Sequence, residues 1–182
     1  RMRINKVILA CLMLVGIAQA DVKSNMAEEK LTAELHGSKG NAIAELDGLI
    51  KKIDTIGYST VAANKNIQVH YYNKFKEKTL EMISFFGLVN KEALRPLLLH
   101  NPDFGAYAPY NFFGYKILDS AKDDNTWYGH LAPDTMLDII GEKDADKRKA
   151  FTDMVESFYG LMKKEMKPTL SQNFTHTNPL QK

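Results

Sequence analysis

The sequence predicts an α+β fold of two layers, with a mostly antiparallel sheet packed against helices. Two observations support this class. Towards both ends of the chain, apolar residues recur every three or four positions, which is typical of helices that bury one face. Between those stretches lie segments rich in aromatic and β-branched residues, which favour strands. The sequence contains no internal repeat and no linker, so it predicts one domain.

Four helices are predicted from the apolar spacing and from residues that begin or end a helix. Ile43, Leu46, Ile50 and Ile53 share one helical face. The clearest helix is the last, whose apolar face runs from residue 151 to residue 162 before Pro168 stops it. The predicted helices cover residues 41–57, 90–99, 133–141 and 151–167.

Strands are predicted at residues 58–61, 67–75, 80–88, 104–117 and 126–131. Pro109 interrupts the fourth of these segments. Because proline has no N–H to donate to a ladder, it indicates a bulge or an edge position there. Residues 119–125 are predicted to form a turn.

The first twenty residues have the three parts of a secretory signal peptide. Arg3 and Lys6 supply a basic head, residues 7–17 are an apolar run, and Ala18-Gln19-Ala20 is a signal-peptidase motif. The apolar run is shorter than the roughly 20 residues that a membrane-spanning helix needs. The sequence therefore predicts cleavage after Ala20, no membrane span afterwards, and a periplasmic protein. An uncleaved anchor is the alternative.

Cys11 is the only cysteine, and it lies inside the predicted signal. Acylation of Cys11, as in a lipoprotein, is the alternative fate of this residue. If Cys11 leaves with the signal, the mature chain contains no thiol. Disulfides, thiolate metal sites and covalent c-type haem are then excluded from the mature protein.

Composition and charge limit the function classes further. Of the 182 residues, 45% are hydrophobic and 25% are charged, which argues against disordered, collagen-like and multi-span membrane proteins. The net charge is +2, but three positive charges lie in the predicted signal. The near-neutral remainder gives no reason to expect nucleic-acid binding. Outside the signal (1–20) we expect a polar, loosely helical leader (21–40), the α+β domain (41–167) and a flexible tail (168–182).

One stretch resembles the central pattern of the family called domain of unknown function 302. Residues 84–116 read SFFGLVNKEALRPLLLHNPDFGAYAPYNFFGYK. The resemblance lies in a strand ending in Gly and Asn, a short helix, an acidic turn with proline, and two apolar strands separated by a proline. Gly57, and the order of elements over residues 127–140, fit the same pattern. The resemblance covers residues 41–166.

The resemblance implies a small two-layer α+β fold that is often dimeric, and it implies no activity. This chain departs from the family in two respects. The corner that is commonly Gly-Asn-Pro or Cys-Asn-Pro is here Gly87-Leu88-Val89-Asn90-Lys91. The chain also carries the predicted signal and a long leader.

Candidate site residues come from two features. On the strand prediction, His70 and His130 could face one surface of the sheet beside tyrosines, where imidazole and phenolate can ligate iron or copper. Solvated or hydrogen-bonded histidines with no common site are the alternative.

Tyr107, Tyr110 and Asn111 lie around Pro109, where aromatic rings beside a backbone break favour a ligand pocket. A bulged strand with these aromatics in the core or at a dimer seam is the alternative there.

These features predict an exported protein that binds a small ligand, a metal or a haem in a site formed by Tyr107, Tyr110, Asn111, His70 and His130. The cofactor is unknown, with haem or copper as candidates, and the two histidines are the candidate metal ligands. An interaction or assembly protein and a cysteine-free enzyme with a His/Tyr site are the alternatives. The lack of familiar catalytic motifs leaves enzymatic activity uncertain and disfavoured. A homodimer through the sheet or the terminal helix is expected, with a small molecule or an exported protein as partner.

Overall fold

Six strands form one antiparallel sheet in the computed structural model, which describes residues 29–177. The order across the sheet is β2-β3-β4-β5-β1-β6. The predicted class, a sheet packed against helices, is confirmed, and residues 31–175 form one compact unit. The strands are β1 (Glu29–Lys39), β2 (Ser59–Asn64), β3 (Met82–Val89), β4 (Tyr110–Lys116), β5 (Asn125–Leu131) and β6 (Leu170–Thr177).

The helical layer is organised around its longest member, α5. The helices are α1 (Ile43–Ile50), α2 (Gln68–Phe75), α3 (Lys91–His100), α4 (Pro133–Ile139) and α5 (Ala145–Met166), and 3-10 turns lie at Ile53–Ile56 and Pro102–Tyr107. Helices α1, α3 and α4 all contact α5. The Asp144 carboxylate begins α5 by accepting hydrogen bonds from the backbone N–H groups of Asp146 and Lys147.

The core lies between α5 and one face of the sheet. Phe112 of β4 packs edge-on against Phe158 of α5, with 4.9 Å between ring centroids. Successive side chains of a strand point to opposite faces, so alternate residues of β3, β4 and β5 enter this core. They include Met82, Phe86, Leu88, Tyr110, Phe112 and Tyr128, all of which are buried.

The residues between them face away from α5, and we call this surface the open face. It includes Phe85, Phe113 and Tyr115, which are each half-buried, and Asn111 and Leu131, which are exposed. The register that pairs Phe85 with Phe113 and Tyr115 with Trp127 places these rings side by side. The domain therefore presents a partly aromatic surface opposite its helices.

The predicted leader is wrong for residues 29–39, which form β1 instead of a loose helix outside the core. β1 lies between β5 and β6, and it buries Leu35 and His36. β1 is buried because it pairs with β5. In this pairing Glu34 lies opposite His130. The predicted tail likewise contains β6, so the sheet extends beyond both predicted limits of the domain, 41 and 167.

The strand predicted at residues 67–75 is also wrong, because Gln68–Phe75 is helix α2. The Asn66 side chain explains the change of conformation. Its Oδ1 accepts hydrogen bonds from the N–H groups of Gln68 and, at 3.4 Å, Ile83. The hydrogen bonds of Asn66 therefore fix a turn after β2, and the chain leaves the sheet there and rejoins it as β3. Val69 and Tyr72 are both left about half-exposed on the helix.

The remaining elements differ from prediction only at their ends, apart from residues 104–109. Residues 102–107 form a 3-10 turn, the Ala108–Pro109 peptide bond is cis, and β4 begins at Tyr110. The predicted signal peptide and Cys11 lie outside the described residues. Within residues 29–177, no helix is long and apolar enough to cross a membrane.

Candidate ligand-binding site

A cavity of about 410 Å³ opens beside Pro109, where β4 begins and β5 ends. We call it the Pro109 cavity. Three of the five predicted site residues, Tyr107, Tyr110 and Asn111, line it. The lining residues are Ala106, Tyr107, Pro109, Tyr110, Asn111, Phe113, Leu131 and Met136.

The backbone around Pro109 is fixed from two sides. The 3-10 turn before it is capped by the Asn101 side chain, whose Oδ1 accepts a hydrogen bond from the N–H of Asp103. Across the sheet, the proline ring packs on Gly87. A Cβ atom at Gly87 would lie 3.1 Å from Pro109 Cγ, so a side chain there would crowd the proline ring. Glycine at position 87 thus leaves room for Pro109 at the edge of the cavity.

The two tyrosines form the wall with their rings, since their hydroxyl groups are already bonded. Tyr107 donates to the carbonyl oxygen of Met136 at 2.6 Å, and Tyr110 donates to the hydroxyl of Tyr58 at 3.0 Å. Burial raises the pKa of both tyrosines, that of Tyr110 well above its usual value. Both phenols are therefore neutral near pH 7, which disfavours phenolate ligation of a metal.

Asn111 supplies an exposed polar group at the cavity. It lies two residues before Phe113 on the same strand, so both side chains point to the open face. Asn111 is exposed, and its amide carries donors and an acceptor. No lining residue carries a charge in its ordinary ionisation state. The arrangement suits an uncharged molecule with one polar end.

His130 does not line the cavity, although it lies behind one wall. Its ring stacks on Tyr159 and contacts Tyr110 edge-on, at a centroid distance of 5.4 Å. Nδ1 lies 2.7 Å from the carbonyl oxygen of Leu131 and therefore carries the proton. Nε2 is buried with no hydrogen-bond partner among the described residues. Burial lowers the pKa of His130 to about 4, so the ring is neutral at pH 7.

His70 lies elsewhere, on the exposed surface of α2, where its Nε2 is 3.5 Å from the Asn64 amide. Because His70 is helical and His130 is buried beneath α5, the prediction that the two share one strand surface is wrong. Within the described part of the chain, no group of three or more His, Cys, Asp or Glu residues is arranged to hold a metal ion. The structure thus brings Tyr107, Tyr110 and Asn111 together at one cavity and places His70 and His130 away from its lining.

Two buried residues near His130 were not predicted as site residues. The sequence places His36 in a solvated leader, but it is only 5% exposed, with Nε2 2.8 Å from Glu34 Oε1. The Tyr159 hydroxyl donates to the carbonyl oxygen of Glu34 at 2.8 Å, which joins α5 to β1. Alternation of Leu31, Ala33 and Leu35 is the sequence signal that would have revealed a strand here.

No family model and no curated protein matches this chain. Among solved structures, the chain is similar to an uncharacterized conserved protein of the DUF302 family from Bacillus stearothermophilus. The TM-score is 0.59, with 10% sequence identity over 72% of this chain and 97% of the other. At that identity, the likeness concerns the architecture alone. The resemblance noted over residues 84–116 is thus confirmed at the level of structure: the chain has a DUF302-like fold.

Proposed function

We propose that this domain is a binding module that holds a small, uncharged, largely apolar molecule in the Pro109 cavity. The observation that carries the proposal is the lining itself. Aromatic and aliphatic side chains surround the space, and the Asn111 amide, which has no side-chain hydrogen bond among residues 30–175, is available to orient a polar end. A volume of about 410 Å³ lies within the range of sites for small ligands.

Binding is favoured over catalysis by the state of the lining groups. The only titratable side chains in the lining are Tyr107 and Tyr110, and both hydroxyls are committed to other residues. A general acid or base needs a proton that it can exchange with the substrate near working pH. The raised pKa values of these phenols argue against that role. Apolar burial is then the main source of affinity.

The proposal is tested by titrating the protein with N-phenyl-1-naphthylamine, an uncharged apolar probe that fluoresces when it leaves water. We expect saturable binding by the full chain. Leu131→Trp fills the cavity from its rim and should weaken binding by about tenfold or more, while the exposure of Leu131, 41%, allows folding. Ile139→Trp, at a 66% exposed position of α4 outside the cavity, is the matched control.

Three outcomes would contradict the proposal. They are unsaturable binding by the wild-type protein, equal binding by Leu131→Trp, and equal loss in Ile139→Trp. Asn111→Ala tests the polar contact separately. This change should weaken the binding of a probe that carries a hydroxyl or carbonyl group more than it weakens the binding of a pure hydrocarbon.

We also propose that the domain works outside the cytoplasm, in a periplasm. The support is the sequence of residues 3–20, with its basic head, its apolar run and the Ala-Gln-Ala motif. A binding module exported in this way would meet its ligand outside the inner membrane.

A second candidate function, as an interaction or assembly protein, is favoured by the open face. Phe85, Phe113 and Tyr115 are neighbours there, and each is only half-buried. Clustered apolar surface of this kind is typical of protein contacts. A second copy of the chain is the partner that we propose.

A further inference from the structure

A second cavity, of about 530 Å³, lies between the C-terminal end of α5 and the start of β6, with His36 of β1 in its lining. We call it the lysine cleft. It shares no lining residue with the Pro109 cavity. The polar residues that line it are Lys163, Lys167, Thr169, Ser171 and His36.

The two lysines bring positive charge to the lining of the cleft. Lys163 lies in the last turn of α5, Lys167 is the residue at which the helix ends, and both line the cleft. Within residues 30–175, neither ammonium has a carboxylate within salt-bridge distance. Glu165 of α5, by contrast, forms a salt bridge with Lys52. Lys163 Nζ instead lies 5.6 Å from the centroid of the Tyr159 ring.

The remaining polar groups suit a tetrahedral anion. The hydroxyls of Thr169 and Ser171 come from the segment that leads into β6, and the N–H of Thr169 holds that segment by donating to the carbonyl oxygen of Gly37. Two ammonium groups and two hydroxyls can together donate to several oxygens of one phosphate. Two carboxylates lie near this set: Glu34 contacts the imidazole of His36, and Glu165 interacts electrostatically with Lys167.

We propose that the lysine cleft binds the phosphate group of a small phosphate monoester. Lysine binds phosphate as a point charge, whereas bidentate recognition of a carboxylate favours arginine, and no arginine lines the cleft. The volume, about 530 Å³, exceeds what a bare phosphate ion fills, so space remains for the organic part of an ester. Leu170 and Pro168 offer that part an apolar surface.

Titration of the isotopically labelled full chain with phenyl phosphate, followed by NMR, tests this inference. We expect saturable shifts of the Ser171 amide and the His36 ring, with affinity that falls as salt is added. Lys163→Gln combined with Lys167→Gln should weaken binding by about tenfold or more. The ring protons of His36 provide a second readout, because a bound dianion should raise the pKa of its imidazole.

The control removes the same net charge from exposed lysines that do not line the cleft. Lys164→Gln combined with Lys143→Gln should change the affinity by less than about twofold. Unsaturable shifts in the wild-type protein, or an equal loss in the control, would overturn the proposal. Inorganic phosphate that binds as tightly as phenyl phosphate would overturn the assignment to an ester. Because the lysine cleft and the Pro109 cavity share no residue, either proposal can fail without the other.

Discussion

The imidazole of His130 stacks on the phenol ring of Tyr159, with 4.0 Å between the ring centroids and 25° between the ring planes. The contact joins β5 to α5 at the centre of the domain. Only the neutral imidazole suits this position, because the ring is fully buried and one nitrogen has no hydrogen-bond partner in the described structure. A residue that sequence alone presents as a candidate metal ligand therefore serves as a packing contact.

The buried His130 should make the protein less stable in acid. Its pKa is about 4 in the folded protein, against 6.5 as the ordinary value. Between these pH values the unfolded chain binds a proton that the folded chain does not. The free energy of unfolding should therefore decrease as the pH falls from 6.5 to 4, by roughly 3 kcal/mol from this residue. Urea unfolding at several pH values measures the slope.

His130→Phe provides the comparison for that slope. Phenylalanine keeps an aromatic ring on Tyr159 but cannot be protonated. The variant should lose a clearly smaller part of its stability in acid than the wild-type protein does. His36, whose pKa is also lowered, chiefly by burial, remains in both proteins and accounts for part of the residual slope. Identical slopes in the two proteins would contradict the assignment.

Gly129 should not tolerate a side chain. A Cβ atom there would lie 2.5 Å from the carbonyl oxygen of Glu34 and 2.8 Å from Leu35 Cδ2, so β1 and β5 would have to separate. We expect Gly129→Ala to lower the free energy of unfolding by about 1–3 kcal/mol. Gly160→Ala is the control, since no heavy atom of the described chain outside its own helix would lie within 4 Å of its Cβ.

Gly160 lies inside α5, where alanine favours the helix by about 1 kcal/mol. The two substitutions should thus shift the urea midpoint in opposite directions. A Gly129→Ala protein as stable as the wild type would show that the β1–β5 pairing is looser than described.

Export predicts a mature protein that begins at Asp21. The intact mass of protein recovered from the periplasm of a bacterial host measures this directly. Ala20→Phe should block cleavage, because signal peptidase needs a small residue at that position, whereas Gln19→Phe should not. A mature mass that retains residues 7–20, or an acylated Cys11, would contradict the prediction.

A homodimer through the open face is expected at micromolar concentration, and sedimentation velocity is the measurement. Phe85→Lys should produce monomers, because it places a charge among the half-buried aromatic residues of that face. Glu156→Lys, at an exposed position of α5, changes the charge of the helical side and should leave the dimer intact. A wild-type protein that sediments only as a monomer would refute the dimer, and dissociation by Glu156→Lys alone would move the interface to α5.

Local chemistry explains which parts of the site could be predicted from sequence. Proline interrupts a ladder wherever it occurs, so the break at Pro109 and the tyrosines beside it were found without knowledge of the fold. The position of a histidine depends on which element carries it and on which strand that element pairs with. His70 was misplaced because the residues after Asn66 leave the sheet as α2.

The misassignment of β1 has a different physical origin. This strand contains few apolar residues, and the burial of His36 is supplied by Tyr159, at a ring distance of 5.5 Å, and by pairing with β5. The alternation of Leu31, Ala33 and Leu35 is a local sign of a strand, but it is short, and the partners that bury His36 lie far along the chain. Elements with an apolar stripe of their own, such as α5, are correctly predicted, because an apolar helix face is buried whichever element packs against it.

The position of β1 within the sheet also governs when the domain can fold during synthesis. The hydrogen bond between Ser38 and Tyr128 spans 90 residues, so β1 leaves the ribosome long before its partner β5. Strands β2, β3 and β4 follow one another and can pair early, but the sheet closes only after β5 has been made. Late completion of the sheet is compatible with the export that we propose, because a translocation channel takes a chain that has not finished folding.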